Sequence, residues 1–183
     1  MDRGNSGLIP TIVEVGSVHG GFLELLYKYF DGKCKVIGID IEINHLSDRF
    51  QFVSNVVDVS AITFIEGNSG DANFWENFWK VNQNSIDFFI EDSSYTNKQQ
   101  IVSIQMALQN INSGGVVICQ GAEASFMSVF GNPHLFSFMN WAYRFNSLQN
   151  RSLVKFVESF PESFEIHLFP SLVIFKKKSF CIN

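Results

Sequence analysis

The stretch Ile12-Val13-Glu14-Val15-Gly16-Ser17-Val18-His19-Gly20-Gly21 decides the fold. An apolar, β-branched run stops at a glycine and two more glycines follow. Phe22, Leu25, Leu26, Tyr29 and Phe30 then recur at helical spacing. This is the pattern of a buried strand, a tight turn and an amphipathic helix. Gly16 permits close backbone approach, and Gly20 and Gly21 keep the helix N-terminus free of side-chain bulk. In open α/β sheets, ligands sit beyond the carboxyl ends of the strands, at such a turn.

A second strand, Lys35-Val36-Ile37-Gly38-Ile39-Asp40, ends in a carboxylate. An acid at that place can accept hydrogen bonds from both hydroxyls of a ribose. The two stretches together read as a site for a nucleoside-containing cofactor. The dinucleotide fingerprint needs G-x-G-x-x-G, whereas this chain offers G-x-x-x-G-G with Val18 in the middle, which disfavours a nicotinamide or flavin. Glu14, inside the first strand, suits a cofactor with a cationic amino-acid end, as in S-adenosylmethionine. The plainer alternative is a glycine turn such as any α/β protein carries.

Working outward, strand and helix signals alternate. Residues 61–66 read as a third strand stopped by Gly67. Residues 71–81 read as a helix with Phe74, Trp75, Phe78 and Trp79 on one stripe, a core or partner face. Residues 86–90 form a fourth strand ending at Glu91 and Asp92. Thr96 and Gln99 make a capping box before a helix whose apolar face is Ile101, Ile104, Leu108 and Ile111, stopped by Gly114-Gly115. Residues 116–119 are a fifth strand. Asn132-Pro133 predicts a helix start by capping residue and first-turn proline, running to about Phe145. Residues 42–50 read as a short helix or loop. Two last strands fall at 153–158 or 164–169 and at 171–177, with Pro170-Ser171 as a hairpin turn. Such alternation implies parallel βαβ units, here a doubly wound, Rossmann-like, mostly parallel seven-stranded sheet closed by an antiparallel hairpin.

The chain has 183 residues, enough for one domain over 1–183, and its 46% apolar content supports a substantial core. Most of its 20 Phe residues read as core filling. A net charge of −5 leaves no nucleic-acid footprint, and no window is apolar long enough to span a bilayer. Met1 to Ser6 lacks the apolar segment of a signal peptide. Cys34, Cys119 and Cys181 are too far apart for a disulfide framework or a metal-ligand pair, which fits a reducing, cytoplasmic compartment. His45, His134 and His167 lack ligand spacing. Lys176-Lys177-Lys178 reads as a solvated strand end. The short lead-in and the aromatic content predict apolar surface covered by a second copy, and hence a homo-oligomer.

At the carboxyl ends of successive strands stand Glu14-Val15-Gly16 with Gly20-Gly21, Gly38-Ile39-Asp40, Glu66-Gly67-Asn68-Ser69, Glu91-Asp92-Ser93-Ser94-Tyr95 and Gly114-Gly115-Val116-Val117-Ile118. In order and spacing this set resembles the class I S-adenosylmethionine-dependent methyltransferases. Within them it looks most like the small-molecule O-methyltransferases related to macrocin O-methyltransferase and the cephalosporin-hydroxylase-type proteins. The resemblance implies that Gly16, Ser17, His19 and Gly20 wrap the methionine end of the cofactor, near Glu14. Asp40 then holds the ribose, Asn68 and Ser69 lie against the adenine, and Glu91 is counted with these contacts.

The catalytic half departs from the family. The relatives carry Asp-Asp-Gly-Ser-His after strand four, with a metal-binding second Asp and a His base. Here Glu91, Asp92, Ser93, Ser94 and Tyr95 stand there, so the second carboxylate survives and the His does not. Where the relatives complete a magnesium site with a Glu-Asp pair after strand five, this chain has Cys119 and Gln120, with Glu123 the nearest acid. Magnesium wants several oxygen ligands, so the expectation is no tight magnesium site. Asp92 and Tyr95 are then the candidates for assisting loss of the acceptor's proton or positioning it. The resemblance implies methyl transfer to an oxygen of a small molecule, such as a sugar or secondary metabolite, leaving S-adenosylhomocysteine. The competing reading is a degenerate cofactor-binding protein that acts as a partner or sensor.

Overall fold

The computed structural model describes residues 9–18, 20–43, 62–132, 134, 136–149 and 164–179. The elements in chain order are β1 (Thr11–Val15), α1 (Gly21–Tyr29), β2 (Lys35–Asp40), β3 (Ile62–Glu66), α2 (Ala72–Asn82), β4 (Phe88–Glu91), α3 (Asn97–Asn110), β5 (Val116–Gln120), α4 (Phe138–Gln149), β6 (Phe164–Leu168) and β7 (Leu172–Lys177). Two 3₁₀ turns, Ala122–Phe126 and Ser128–Phe130, follow β5. The strands form one seven-stranded sheet in the order β3-β2-β1-β4-β5-β7-β6. The first five are mutually parallel, and β7 runs antiparallel to both β5 and β6. The expected doubly wound sheet with a closing antiparallel hairpin is therefore what the chain forms. The expected strand at 153–158, residues 44–50 of the 42–50 segment, His19, His45 and Cys181 lie outside the described residues.

Period two along the strands sorts side chains between the two faces. Ile12, Val36, Ile62 and Ile90 pack with Leu23 of α1 on one face. Val13, Val15, Phe89, Val117 and Cys119 pack on the other, against α2, α3 and α4. The aromatic stripe of α2 belongs to this second core: Trp75 is fully buried and meets Phe78 and Phe89 edge-on, with ring centroids 5.6 and 5.5 Å apart. Its indole N–H donates to the Ser69 carbonyl at 2.8 Å, which ties the core to the loop after β3.

One helix starts later than its sequence predicts. Asn132 pairs with Phe136 in an antiparallel bridge, and α4 begins only at Phe138. The reason is where its first-turn N–H groups find acceptors. Phe138 N–H donates to Asn97 Oδ1 at 2.8 Å, Met139 to Ser125 Oγ at 3.0 Å, and Asn140 to Ser137 Oγ at 3.2 Å. Two of those three acceptors come from distant segments.

Candidate functional site

The strand order reverses between β1 and β4, and a crevice opens at their carboxyl ends. A cavity of about 230 Å³ lies there, lined by Val15, Gly16 and Val18 on one side, Ile39 to Ile41 on another, and the loops after β3 and β4. Gly16 sits at φ +90°, donates its N–H to the Ile39 carbonyl at 2.8 Å, and lies flat against the backbone of Asp92 and Ser93. A Cβ at Gly16 would overlap the Asp92 carbonyl. This is the close approach expected of that glycine.

Asp40 closes the turn from the β2 side. Its Oδ2 accepts the Val18 N–H at 2.8 Å and its Oδ1 accepts the Ile41 N–H at 2.7 Å. Each oxygen keeps a further lone pair toward the cavity. The Asp40 contact holds Val18 at φ +35°, a left-handed conformation rare for a β-branched residue.

Glu14 lies one residue behind the cavity wall and is 3% exposed. Its Oε2 finds no hydrogen-bond partner among the described residues. Burial, then the charges of Asp92 and Asp40, push its carboxyl up to about 7, while the Ser17 hydroxyl partly offsets them. Ser17 is buried and donates to the Glu14 carbonyl at 3.2 Å. Gly20 adopts φ +69° as the cap of α1 and donates to the Ser17 carbonyl at 2.6 Å. Asp40 and Asp92 thus line the cavity with Glu14 behind its wall, and among the described residues its lining contains no Lys or Arg.

The loop after β3 supplies the opposite wall. Asn68 Oδ1 accepts the Gly70 N–H at 2.9 Å and the Gln99 side-chain amide at 3.5 Å. Ser69 is buried, and its hydroxyl pairs with that of Ser93 at 3.0 Å. Gln99, read in the sequence only as half of a capping box, lines the cavity itself and accepts from the Ser94 and Thr96 hydroxyls. Val18, Ile41, Ser93 and Ser94 were also not anticipated in the lining. Their only sequence signal is that each adjoins the end of a strand.

Glu91, expected among the cofactor contacts, is fully buried and is not among the described residues that line the cavity. Period two turns it to the α3 face, where its carboxylate accepts from the Ser93 and Ser103 hydroxyls and from the Ser93 N–H at 3.1 Å. Burial pushes its carboxyl up to about 7, with the serine hydrogen bonds opposing.

Asp92 and Tyr95 come together at the mouth. The Tyr95 hydroxyl donates to Asp92 Oδ1 at 2.8 Å, across a turn that holds Tyr95 at φ +62°. Burial raises the Asp92 carboxyl above the usual range, the Tyr95 hydrogen bond lowers it, and the Glu123 charge raises it. That same hydrogen bond, then burial and the neighbouring carboxylates, push Tyr95 up to about 12. Beyond Tyr95 a second cavity of about 530 Å³ is lined by Gln120, Gly121, Glu123, Ala124, Met127, Phe130, Ser171 and Leu172. Cys119 is buried, and burial, then the charge of Glu91, push its thiol up, so it stays protonated and poor as a hard-metal ligand. Among the described residues no three His, Cys, Asp or Glu side chains cluster as a metal ligand set. No described helix is long and apolar enough to cross a membrane.

The sequence profile of the rhamnosyl O-methyltransferase/CmcI family matches residues 8–169. The chain belongs to this family. No curated protein matches it in sequence. Among solved structures it is similar to the MycE methyltransferase from the mycinamycin biosynthetic pathway in complex with Mg, SAH and mycinamycin VI. The TM-score is 0.77 at 17% identity, over 94% of this chain and 45% of that one. A second MycE crystal form, with Mg and SAH, gives 0.77 at 16% identity, over 94% and 45%. The fibrillarin pre-rRNA processing protein of Methanococcus jannaschii gives 0.58 at 16% identity, over 93% and 66%. The chain therefore spans less than half the length of MycE, and at these identities the likeness establishes the fold: Rossmann-like, of the class I methyltransferases.

The buried acids of this family member make its stability depend on pH. Glu14 and Glu91 titrate near 7 when folded, against a starting value of 4.5. The folded chain therefore holds extra protons between those values. The associated stability is full below about 4.5 and is lost as pH rises through about 7. Thermal unfolding followed from pH 5 to pH 8 should show Tm falling by on the order of a few degrees, and Glu14→Gln should flatten the slope. A Tm that rises across this window would mean that both carboxyls are ionised and paired.

Proposed function

We propose that the chain transfers the methyl group of S-adenosylmethionine to a hydroxyl oxygen of a small molecule, such as a sugar or secondary metabolite, and releases S-adenosylhomocysteine. The observation that carries this reading is a cavity lined by Asp40 and Asp92, with Glu14 behind its wall and no basic residue among the described residues of its lining. Such a cavity repels the pyrophosphate of a dinucleotide and suits a ligand with a cationic end and a ribose. The unpartnered Glu14 Oε2 suits an ammonium group, and the Gly16 turn lets the β1 and β4 ends approach closely at the base of the cavity.

When bound, S-adenosylmethionine supplies an electrophilic methyl carbon, and the S–CH₃ bonding pair stays on sulfur as the new C–O bond forms. Asp40 holds the ribose hydroxyls. Gly16, Ser17 and Gly20 wrap the methionine end, and Asn68 and Ser69 face the adenine. Asp92 accepts the acceptor's proton, and its raised carboxyl makes it a better base than an ordinary aspartate. Tyr95 positions Asp92 and the acceptor and is no base itself, since its hydroxyl holds its proton to about 12. The buried free thiols of Cys34 and Cys119 fit a reducing, cytoplasmic setting.

Calorimetry tests the cofactor half. The chain should bind S-adenosylhomocysteine more tightly than NAD, and Asp40→Ala should weaken that binding by about 1–3 kcal/mol through lost charged hydrogen bonds. Equal affinity in the variant would remove Asp40 from the site. The second reading, a cofactor-binding protein without turnover, is favoured by the protonated Tyr95 and Cys119, neither of which can serve as a base at the mouth. Tight S-adenosylhomocysteine binding with no labelled methyl transferred to any of a broad set of hydroxylated acceptors would select it.

A further inference from the structure

The second cavity carries information about the acceptor that the cofactor site does not. It begins at Tyr95, the residue that touches Asp92, so its contents lie next to the reacting end of the first cavity. Its walls are mixed. Ala124, Met127, Phe130 and Leu172 give an apolar surface, and the Tyr95 and Phe130 rings meet edge-on at 6.2 Å. The backbone at Gln120 and Gly121 is held from behind: wholly buried Gln100 donates its side-chain amide to both carbonyls, at 3.3 and 3.5 Å. Among the described residues of this lining the one ionisable group besides the protonated Tyr95 is the exposed Glu123 carboxylate. Among the described residues the cavity walls hold no Lys, Arg or His. Glu123 forms none of the ion pairs found among the described residues, yet its charge reaches both Asp92 and Tyr95.

A neutral acceptor would leave Glu123, in the second cavity, repelling Asp92, which lines the first, and a carboxylate acceptor would add a third like charge. A protonated amine relieves that repulsion and its carbon skeleton fills the apolar wall. We propose that the acceptor is a hydroxylated, largely apolar molecule bearing a protonated amine, with Glu123 as the residue that selects it. This deepens the methyl-transfer reading and rests on it. Asp92 stays free to take the hydroxyl proton, because the amine is held by the other carboxylate.

The test uses two probes of one shape and different charge, tyramine and 2-(4-hydroxyphenyl)ethanol. Both are titrated into the full chain with and without saturating S-adenosylhomocysteine. Tyramine should bind about threefold to tenfold more tightly than the uncharged alcohol, and Glu123→Gln should bring the ratio to about one. The proposal is overturned if the two bind equally, if neither binds, or if the ratio survives in the variant. It is overturned as well if added magnesium abolishes the preference at constant ionic strength, since the two carboxylates would then be a metal pair. S-adenosylhomocysteine binding to the same samples reports separately on the cofactor reading. The titrations without it judge the amine preference even where that reading fails.

Discussion

Replacing Gly16 with alanine should abolish S-adenosylhomocysteine binding and destabilise the chain by about 2–6 kcal/mol. Two costs add. At φ +90° an L-residue is strained, which costs on the order of 1–3 kcal/mol. The new Cβ would also overlap the Asp92 carbonyl and lie 2.7 Å from the Asp92 carbonyl carbon and the Ser93 Cα. These are backbone atoms that cannot rotate aside, and overpacking of this kind costs about 1–3 kcal/mol more. Relief would require β1 and β4 to part at their carboxyl ends. That would break the 2.9 Å bond from the Asp92 N–H to the Val15 carbonyl and carry Asp92 away from the site. Gly21→Ala is the control, because nothing lies within 4 Å of the Cβ it would add. Thermal unfolding and calorimetry on both variants decide the matter. Wild-type affinity in Gly16→Ala would show that the turn does not shape the cofactor site.

Asp92→Asn should lower methyl transfer by about 10²–10⁴-fold, the usual worth of a positioned base, with little change in S-adenosylhomocysteine affinity. The amide keeps the size and the Tyr95 contact and loses the basicity. Tyr95→Phe should have a smaller effect and move the pH profile upward, since the Tyr95 hydrogen bond is what lowers the Asp92 carboxyl. Transfer should also persist in EDTA. The donor chemistry is the reason: the Cys119 thiol is buried and protonated, Glu91 is occupied by two serines, and Gln120 is neutral. Activity that vanishes on chelation and returns with magnesium would sink the metal-free mechanism. Activity that survives Asp92→Asn would take Asp92 out of it.

The sheet and its cofactor crevice were legible because local chemistry specifies them. A β-branched run must become a strand, Gly16 must turn, and Asp40 must end where β2 ends. What escaped was set by contacts distant in sequence. Asn132-Pro133 has the look of a helix start, but the N–H groups of the first turn of α4 go to Asn97 and Ser125, and the helix begins where those acceptors wait. Glu91 sits beside Asp92 in sequence and on the opposite face of the sheet, a one-residue difference that reverses its role. Gln99 satisfies a capping pattern, and no local signal reveals that it also braces Asn68 across the cavity. The second cavity could not be read at all, because it joins the turns after β5 to Ser171 and Leu172 at the start of β7.

That last junction bears on how the chain is made. β5 pairs with β7 rather than with a strand near it in sequence, and about fifty residues separate them. A chain emerging N-terminus first completes its parallel strands while β5 is still an open edge, with Val117 and Cys119 waiting for Phe175 and Val173. Until β7 docks, the growing protein offers a template for pairing with its neighbours. Truncation or stalling before Leu172 should therefore yield aggregates, not a soluble domain that merely lacks its last strand.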